Sequence, residues 1–493
     1  MKTLCLRADA DSRIGTGHLM RCLALAQAWR GSGGRVQFVT NATAPALLSR
    51  LEQEGGAVHF LESSRASIPD ASETAIVARR IGADWLVLDG YDFDSEYVES
   101  IQGAGIKVLA VDDLGRGELA AADLILNQNV YASAELYPNH LNLLLGLKFA
   151  LLRREFTSMS LNPRGCVDFS SRVLVTLGGS DFHNITRAVL DLLSAYDECK
   201  LEITVLVGPE NPHLGSLLFR GSSKHEISVL VNPPNIPEIM AGADVVVSAA
   251  GSSCWELAFL GVPMVLVVTA ENQRLVARGL EEKGVALVLG DYTDFPKSDS
   301  LRKLTSLFAN KPNRLSMSER GKGLVDGRGA LRVCGVLAGS ELQLRPAQRG
   351  DAETLWIWLN EPVVRAASFD QRVVSWERHQ KWFDEKLSDP DCAIFLGTDS
   401  FGNPVGQIRF EVKAGVALAD VSIAAEMRGL GYATKLIRAG ANRCFEHHTA
   451  EVICAFIKIE NTASQKSFER AGFDFAGRVP SRENAVQYLM KKP

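Results

Sequence analysis

At 493 residues the chain is too long for one hydrophobic core, and at roughly 100–200 residues per domain about three domains are expected. A hydrophobic content of 46% and a charged content of 23% are those of a soluble globular protein, and a net charge of −5 with scattered basic residues leaves no footprint for nucleic acid. Apolar runs such as "VPMVLVVTA" are too short to cross a bilayer, no signal peptide is visible, and nine cysteines without a CxxC pair argue against a zinc site or disulfide framework and for a reducing cytoplasm.

The first region alternates short apolar runs with helical spacing. "TLCLRAD", "RVQFVT", "WLVLDG", "KVLAVDD" and "LILNQN" read as buried strands, and Leu19 to Trp29 and Ala75 to Ile81 read as helices. Such alternation predicts a parallel sheet with helices on both faces. The pattern restarts at "SRVLVTLGGSD", continues through "ITRAVLDLLSAYDE" and "LEITVLVG", and runs on to "ADVVVSAAGSS", "WELAFLGV" and "PMVLVVTA". Two α/β domains are therefore expected, over residues 1–160 and 165–336, with their join near Asn162-Pro163-Arg164-Gly165.

A third domain, residues 341–493, follows the small-residue stretch Leu337-Ala338-Gly339-Ser340. Its order is a strand, a helix, an aromatic-rich helix from Ser375 to Leu387, then a run of strands. In "CAIFLGTDSFGNPVGQIRFEV" the turn residues Asp399 to Asn403 separate two alternating runs, as in a hairpin. This part is α+β.

The glycines carry the first chemistry. "RADADSRIGTGHLMRCLALA" places Gly15 and Gly17 between a strand and a helix, where backbone amides and the helix N-terminus can hold phosphate. Met20 stands where a dinucleotide fingerprint needs glycine, so plain turn glycines read equally well. His18, at that helix start, is disfavoured from taking a proton by the helix dipole and can act as a general base, or it can simply cap or pack. Gly178, Gly179 and Ser180 repeat the strand–turn–helix cradle. Ser252, Ser253 and Glu256 open another helix, with Ser252 and Glu256 one turn apart on one face, placed to meet ribose hydroxyls and a diphosphate.

These motifs, with "LVLDGY", "VDDL", "NQN" and "SAAGSSCWELAFLGVP...ENQ", resemble the UDP-sugar hydrolase of pseudaminic acid biosynthesis, a relative of GT-B glycosyltransferases. The resemblance covers residues 1 to about 335. It implies hydrolysis of UDP-2,4-diacetamido-2,4,6-trideoxy-β-L-altropyranose by water attacking the anomeric carbon, with His18 as base and no metal. It also implies uridine and diphosphate contacts from Gly178, Gly179, Ser180, Ser252, Ser253, Glu256 and Asn272, and a sugar-facing Tyr91. The chain departs from the family at Asp89-Gly90-Tyr91, where Asp-His-Tyr is common, and at Asn127-Gln128-Asn129, where Asp-Gln-Asn is common.

In the third domain, "SIAAEMRGLGYATKLIRAGANRCFE" sets Arg428-Gly429-Leu430-Gly431-Tyr432-Ala433 between a strand and a helix, and "AFIKIENTASQKSFERAGFDFAG" follows. Together they resemble the GNAT superfamily of N-acetyltransferases. The resemblance implies acetyl-CoA as co-substrate, held by Arg428, Gly429, Gly431 and Ala433, with Val421 and Ile423 along the thioester and Asn461 nearby. Where many members place a tyrosine acid, this chain has Phe468. His379 and Trp382 share a helical face, read as core packing with a solvated histidine or as an acceptor contact.

The expected architecture is thus two Rossmann-like domains in a GT-B arrangement followed by a GNAT domain. The expected partners are a UDP-linked deoxyamino sugar and acetyl-CoA, with no nucleic acid and no membrane, the oligomeric state being open. Acetylation of the 4-amino group and hydrolysis of the product would be successive steps on one chain. A glycosyltransferase using an acceptor hydroxyl, and a non-catalytic nucleotide-sugar sensor, are the alternatives.

Overall fold

The computed structural model describes residues 2–492 other than 12, 13, 116, 141, 160–166, 180, 209, 210, 219–222, 340 and 480–483, and other than the side chain of Glu426. It forms two compact units, Met1–Cys334 and Gly335–Pro493. The expected join at residues 162–165, and Ser180, lie outside the described residues.

The first unit holds two parallel sheets. The first consists of β1 (Thr3–Ala8), β2 (Arg35–Thr40), β3 (Ala57–Phe60), β4 (Trp85–Asp89), β5 (Lys107–Val111), β6 (Leu124–Asn127) and β7 (Leu143–Leu145), in the order β3-β2-β1-β4-β5-β6-β7. β1 is buried along its whole length because parallel neighbours flank it and helices cover it. The second consists of β8 (Arg172–Thr176), β9 (Glu202–Val207), β10 (Glu226–Val231), β11 (Val245–Ala249), β12 (Met264–Val268) and β13 (Ala286–Asp291), in the order β10-β9-β8-β11-β12-β13. Each sheet therefore reverses direction once, between β1 and β4 and between β8 and β11. In open α/β sheets, ligands bind outside the carboxyl ends of the strands at that reversal.

These are two Rossmann-like folds. Several contacts tie them together. The helix Gly329–Leu337, at the end of the second predicted domain, returns to the first half: a Cβ at Gly329 would stand 2.1 Å from Ala150 O, and Arg332 Nη1 donates to Lys148 O at 2.7 Å.

The second unit is built on one mixed sheet of β14 (Gln343–Pro346), β15 (Cys392–Thr398), β16 (Pro404–Lys413), β17 (Val416–Ile423), β18 (Val452–Lys458), β19 (Asp474–Arg478) and β20 (Ala485–Lys491). The β15–β16 hairpin forms as the turn residues predict. A short helix, Pro362–Ala367, separates the two predicted helices; its proline occupies the first turn, where no backbone donor is needed. β17 and β18 are the parallel pair, and they pair only from Val416–Val452 to Leu418–Cys454. Beyond those residues both strands continue and diverge, among the described residues without further pairing, and a wedge opens in the sheet.

Candidate functional site

The helix Gly17–Gly31 starts directly above the carboxyl end of β1, and Asp89 ends β4, in register with Ala8. This places His18 and Asp89, 71 residues apart in sequence, at the reversal point of the sheet. His18 Nδ1 lies 2.6 Å from Asp89 Oδ1. An ionised carboxylate only accepts hydrogen bonds, so Nδ1 carries the hydrogen, and in the neutral ring the lone pair is then on Nε2. What orients the ring is this carboxylate, a partner the helix-end argument did not foresee.

Arg21, one turn along the helix, holds Asp89 with two hydrogen bonds of 2.5 Å, from Nε to Oδ2 and from Nη2 to Oδ1. Its Nη1 donates to Asp113 Oδ2 at 2.8 Å. Asp89 is 0% exposed and Arg21 8% exposed. Burial by itself raises the Asp89 carboxyl, but Arg21 and His18 hold it well below the usual carboxylate range. The ionised form of Asp89 is thereby favoured.

Asp113 collects the next layer. Asn129 Nδ2 donates to its Oδ1 at 2.8 Å, and Tyr91 OH donates to its Oδ2 at 3.1 Å. Asn127 in turn accepts from Asn129. The "NQN" segment thus supports Asp113, and through it Arg21. Tyr91 packs edge-on against His18, ring centres 4.7 Å apart, and accepts from Asn272 Nδ2 at 2.8 Å. Tyr91 and Asn272, predicted separately, meet across the two halves of the first unit.

The departure at Gly90 has a local cause. A Cβ there would stand 2.7 Å from Phe93 Cε2, so Phe93 occupies the room a larger residue at position 90 needs.

The two glycine turns face one another. Gly15 and Gly178 have φ of +71° and +90°, where glycine is favoured. A Cβ built on Gly179 would meet nothing nearer than Thr16 Oγ1 at 4.0 Å, and one on Gly17 nothing at all within 4 Å, so both backbones are open to a ligand. Ser252 is the N-cap of the helix Ser253–Leu260 but makes no side-chain cap, which leaves its hydroxyl available. Glu256 is engaged: Arg153 Nη2 donates to its Oε1 at 2.9 Å. Burial raises the Glu256 carboxyl against the pull of Arg153.

Sequence reasoning missed Arg21, Asp113 and Arg153 and assigned Asp89 no role. Arg21 had a signal, since it lies at i+3 from His18 on one helical face. Arg153 had none; its partner is 103 residues away.

In the second unit Gly429 and Gly431 have φ of +77° and +82°, and Gly431 is the N-cap of the helix Tyr432–His447. The turn and the first amides of that helix can receive a pyrophosphate. The Arg428 side chain is turned inward, with Nε donating to Ile423 O at 2.9 Å and Nη2 to Glu361, so its contribution to such a ligand is its backbone. Val421 and Ile423 lie on β17 where it diverges from β18. Asn461 Oδ1 caps the helix Thr462–Ala471, accepting from Ser464 N at 3.1 Å. Phe468 is buried, edge-on to Phe473 with ring centres 5.0 Å apart. His379 is buried among aromatic rings with Nε2 3.0 Å from Ala352 O; it is core, and the expectation of a solvated histidine is corrected.

Among the described residues no group of three or more His, Cys, Asp or Glu side chains is placed to hold a metal ion, and no helix is long and apolar enough to cross a membrane.

Comparison with known proteins matches residues 172–327 to the glycosyltransferase family 28 C-terminal domain and residues 341–474 to the acetyltransferase (GNAT) domain. An uncharacterized protein of Methanocaldococcus jannaschii, MJ1062, is 23% identical over 427 residues, 82% of each chain. The spore coat polysaccharide biosynthesis protein SpsG of Bacillus subtilis is 24% identical over 344 residues, 67% of this chain and 96% of its own. The UDP-2,4-diacetamido-2,4,6-trideoxy-beta-L-altropyranose hydrolase of Campylobacter jejuni is 26% identical over 291 residues, 58% of this chain and 97% of its own. The chain therefore joins a homologue of a UDP-sugar hydrolase, with a family 28 C-terminal-like domain, to a GNAT acetyltransferase domain.

Proposed function

We propose that the chain performs two successive reactions on one nucleotide sugar of the pseudaminic acid type. The second unit acetylates the 4-amino group of a UDP-4-amino-4,6-dideoxy sugar with acetyl-CoA, and the first unit hydrolyses the UDP-2,4-diacetamido-2,4,6-trideoxy-altropyranose so formed. The buried His18–Asp89–Arg21 constellation carries the reading.

In the hydrolysis, water attacks C1 of the sugar. The new C1–O bond forms as the bond from C1 to the diphosphate oxygen breaks, and UDP leaves with the electron pair. His18 Nε2 takes the proton from the water, and the imidazolium is stabilised by Asp89, whose charge Arg21 preserves. The amides around Gly178–Gly179 and the start of the helix Ser253–Leu260 face the diphosphate, with Asn272 and Glu256 beside the uridine.

In the acetyl transfer, the neutral amine nitrogen attacks the thioester carbonyl carbon, the C–N bond forms as the C–S bond breaks, the coenzyme A thiolate leaves with the electron pair, and the proton lost by the nitrogen passes to water. Val421 and Ile423 flank the thioester in the wedge between β17 and β18, and the Gly429–Gly431 turn holds the pyrophosphate. Phe468 supplies no acid, so the thiolate leaves unassisted or is protonated by water.

The test follows coenzyme A thiol and free UDP from the UDP-4-amino sugar, with and without acetyl-CoA, in the wild type and in His18→Ala. Thiol release followed by UDP release, the second alone lost in the variant, is expected. Thiol without UDP sinks the hydrolase half and favours transfer to an acceptor hydroxyl. UDP release that survives in His18→Ala removes His18 as the base.

A further inference from the structure

Asp9, just past the end of β1, is used on one side only. Its Oδ1 accepts from Arg7 Nη1 at 2.6 Å, from Asn41 N at 2.7 Å and from Thr40 Oγ1 at 3.2 Å. Its Oδ2 is buried and has no hydrogen-bond partner among the described residues, although the side chain is only 5% exposed. A buried carboxylate oxygen left without a donor is costly, and such groups are normally paired. Asp9 lines the same cavity as His18, Tyr91, Ile14 and Phe93.

The fixed geometry of Oδ1 matters. Three donors converge on that oxygen, so the carboxylate cannot rotate to offer Oδ2 to the protein. Arg7 is fully buried and is shared with Asp70 through bonds of 3.1 Å and 2.6 Å. The unpaired oxygen is thus held in place beside the base.

We propose that Asp9 is a specificity-determining residue: Oδ2 accepts a hydrogen bond from a hydroxyl or amide N–H on the sugar ring of the nucleotide sugar bound at His18. This rests on the reading of the first unit as a UDP-sugar site, but it does not require that the sugar be hydrolysed. A site that pairs a buried acceptor with a substrate donor rejects the analogue lacking that donor, because the acceptor is then left unpaired.

Asp9→Asn tests this in the full chain. The three donors on Oδ1 force the carboxamide oxygen to that side, so the Asn NH2 replaces Oδ2 and an acceptor becomes a donor. The probes are UDP-2,4-diacetamido-2,4,6-trideoxy-β-L-altropyranose and three analogues, each lacking one ring donor: N2-methyl, N4-methyl and 3-deoxy. Binding is read by calorimetry and turnover by UDP release, with UDP alone as the reference ligand.

The expected result is that the wild type disfavours one analogue by about a hundredfold. Asp9→Asn should then bind the parent about as weakly as that analogue, the ratio between the two falling towards one while the affinity for UDP is kept. Equal losses for the parent and all three analogues would reduce Asp9 to a structural role and overturn the proposal. So would a wild type that treats all three analogues like the parent, a readout that stands even where Asp9→Asn does not fold. Discrimination in binding without any UDP release would leave Asp9 in place and sink the hydrolysis instead.

Discussion

Above β1 the candidate site is made of titratable side chains packed out of water: His18 and Arg21 both bond Asp89, and Arg21 also bonds Asp113. In the second unit the proposed acetyl-CoA site is made of backbone: two left-handed glycines, the first amides of a helix and the gap between two diverging strands, with Arg428 turned away to brace the turn. The first kind of site fixes a tautomer and a charge for proton transfer. The second offers amides to a ligand that brings its own reactive bond. They should therefore fail differently when altered.

The largest expected effect separates them directly. His18→Ala should cost UDP release about 10²–10⁴-fold, the usual worth of a positioned base, and leave acetyl transfer unchanged. Thiol and UDP assays on one preparation measure both. A comparable loss in each reaction would break the comparison.

Stability should show the next largest effect. Asp70 pairs with buried Arg7, and both are 0% exposed. Asp70→Asn leaves that guanidinium with Asp9 as its remaining carboxylate partner and should destabilise the first unit by about 1–3 kcal/mol, read by denaturant unfolding. Burial raises the Asp70 carboxyl, but Arg7 and Tyr97 bring it below its ordinary value. A carboxyl lowered on folding contributes stability above its unfolded pKa, about 4. That contribution is lost as the pH falls through the folded value. Acid unfolding of the wild type should be steeper than that of Asp70→Asn; equal slopes would remove Asp70 from the account.

A backbone site should respond to backbone changes. Gly429→Val forces a branched residue to a φ of +77°, at a cost of about 1–3 kcal/mol. The KM for acetyl-CoA should rise about tenfold or more, roughly the same energy by the usual conversion, with UDP release from the already acetylated UDP-sugar untouched. An unchanged KM would show that the turn does not meet the cofactor.

The smallest effect concerns Phe468. Phe468→Tyr adds a hydroxyl inside the core and should cost about 1–3 kcal/mol of stability without speeding acetyl transfer. A faster reaction would mean that position 468 reaches the departing thiolate.

Much of this is legible in the sequence. The apolar runs at Thr3–Ala8, Arg35–Thr40 and Met264–Val268 became strands because parallel strands between helices are buried on both faces and must be apolar throughout. The β15–β16 hairpin followed from its turn residues, and His18, Gly15 and Gly178 could be marked from their strand–turn–helix setting. The helix Pro362–Ala367 was missed because six residues carry too little periodicity to read.

Sequence alone determined the alternation of strands and helices, the positions of the glycine turns and the change from α/β to α+β grammar, since each depends on residues within a turn or two of one another. Tertiary structure decided which charges meet. Asp89 reaches His18 across 71 residues and Asp113 reaches Arg21 across 92, because the reversal of the first sheet sets β1 beside β4. It also decided that Glu256 is paired with Arg153 and that, among the described residues, Asp9 keeps one oxygen unpaired in the cavity it shares with His18. Electrostatic partners are chosen by distance in space, and a parallel sheet makes neighbours of residues that local sequence cannot connect.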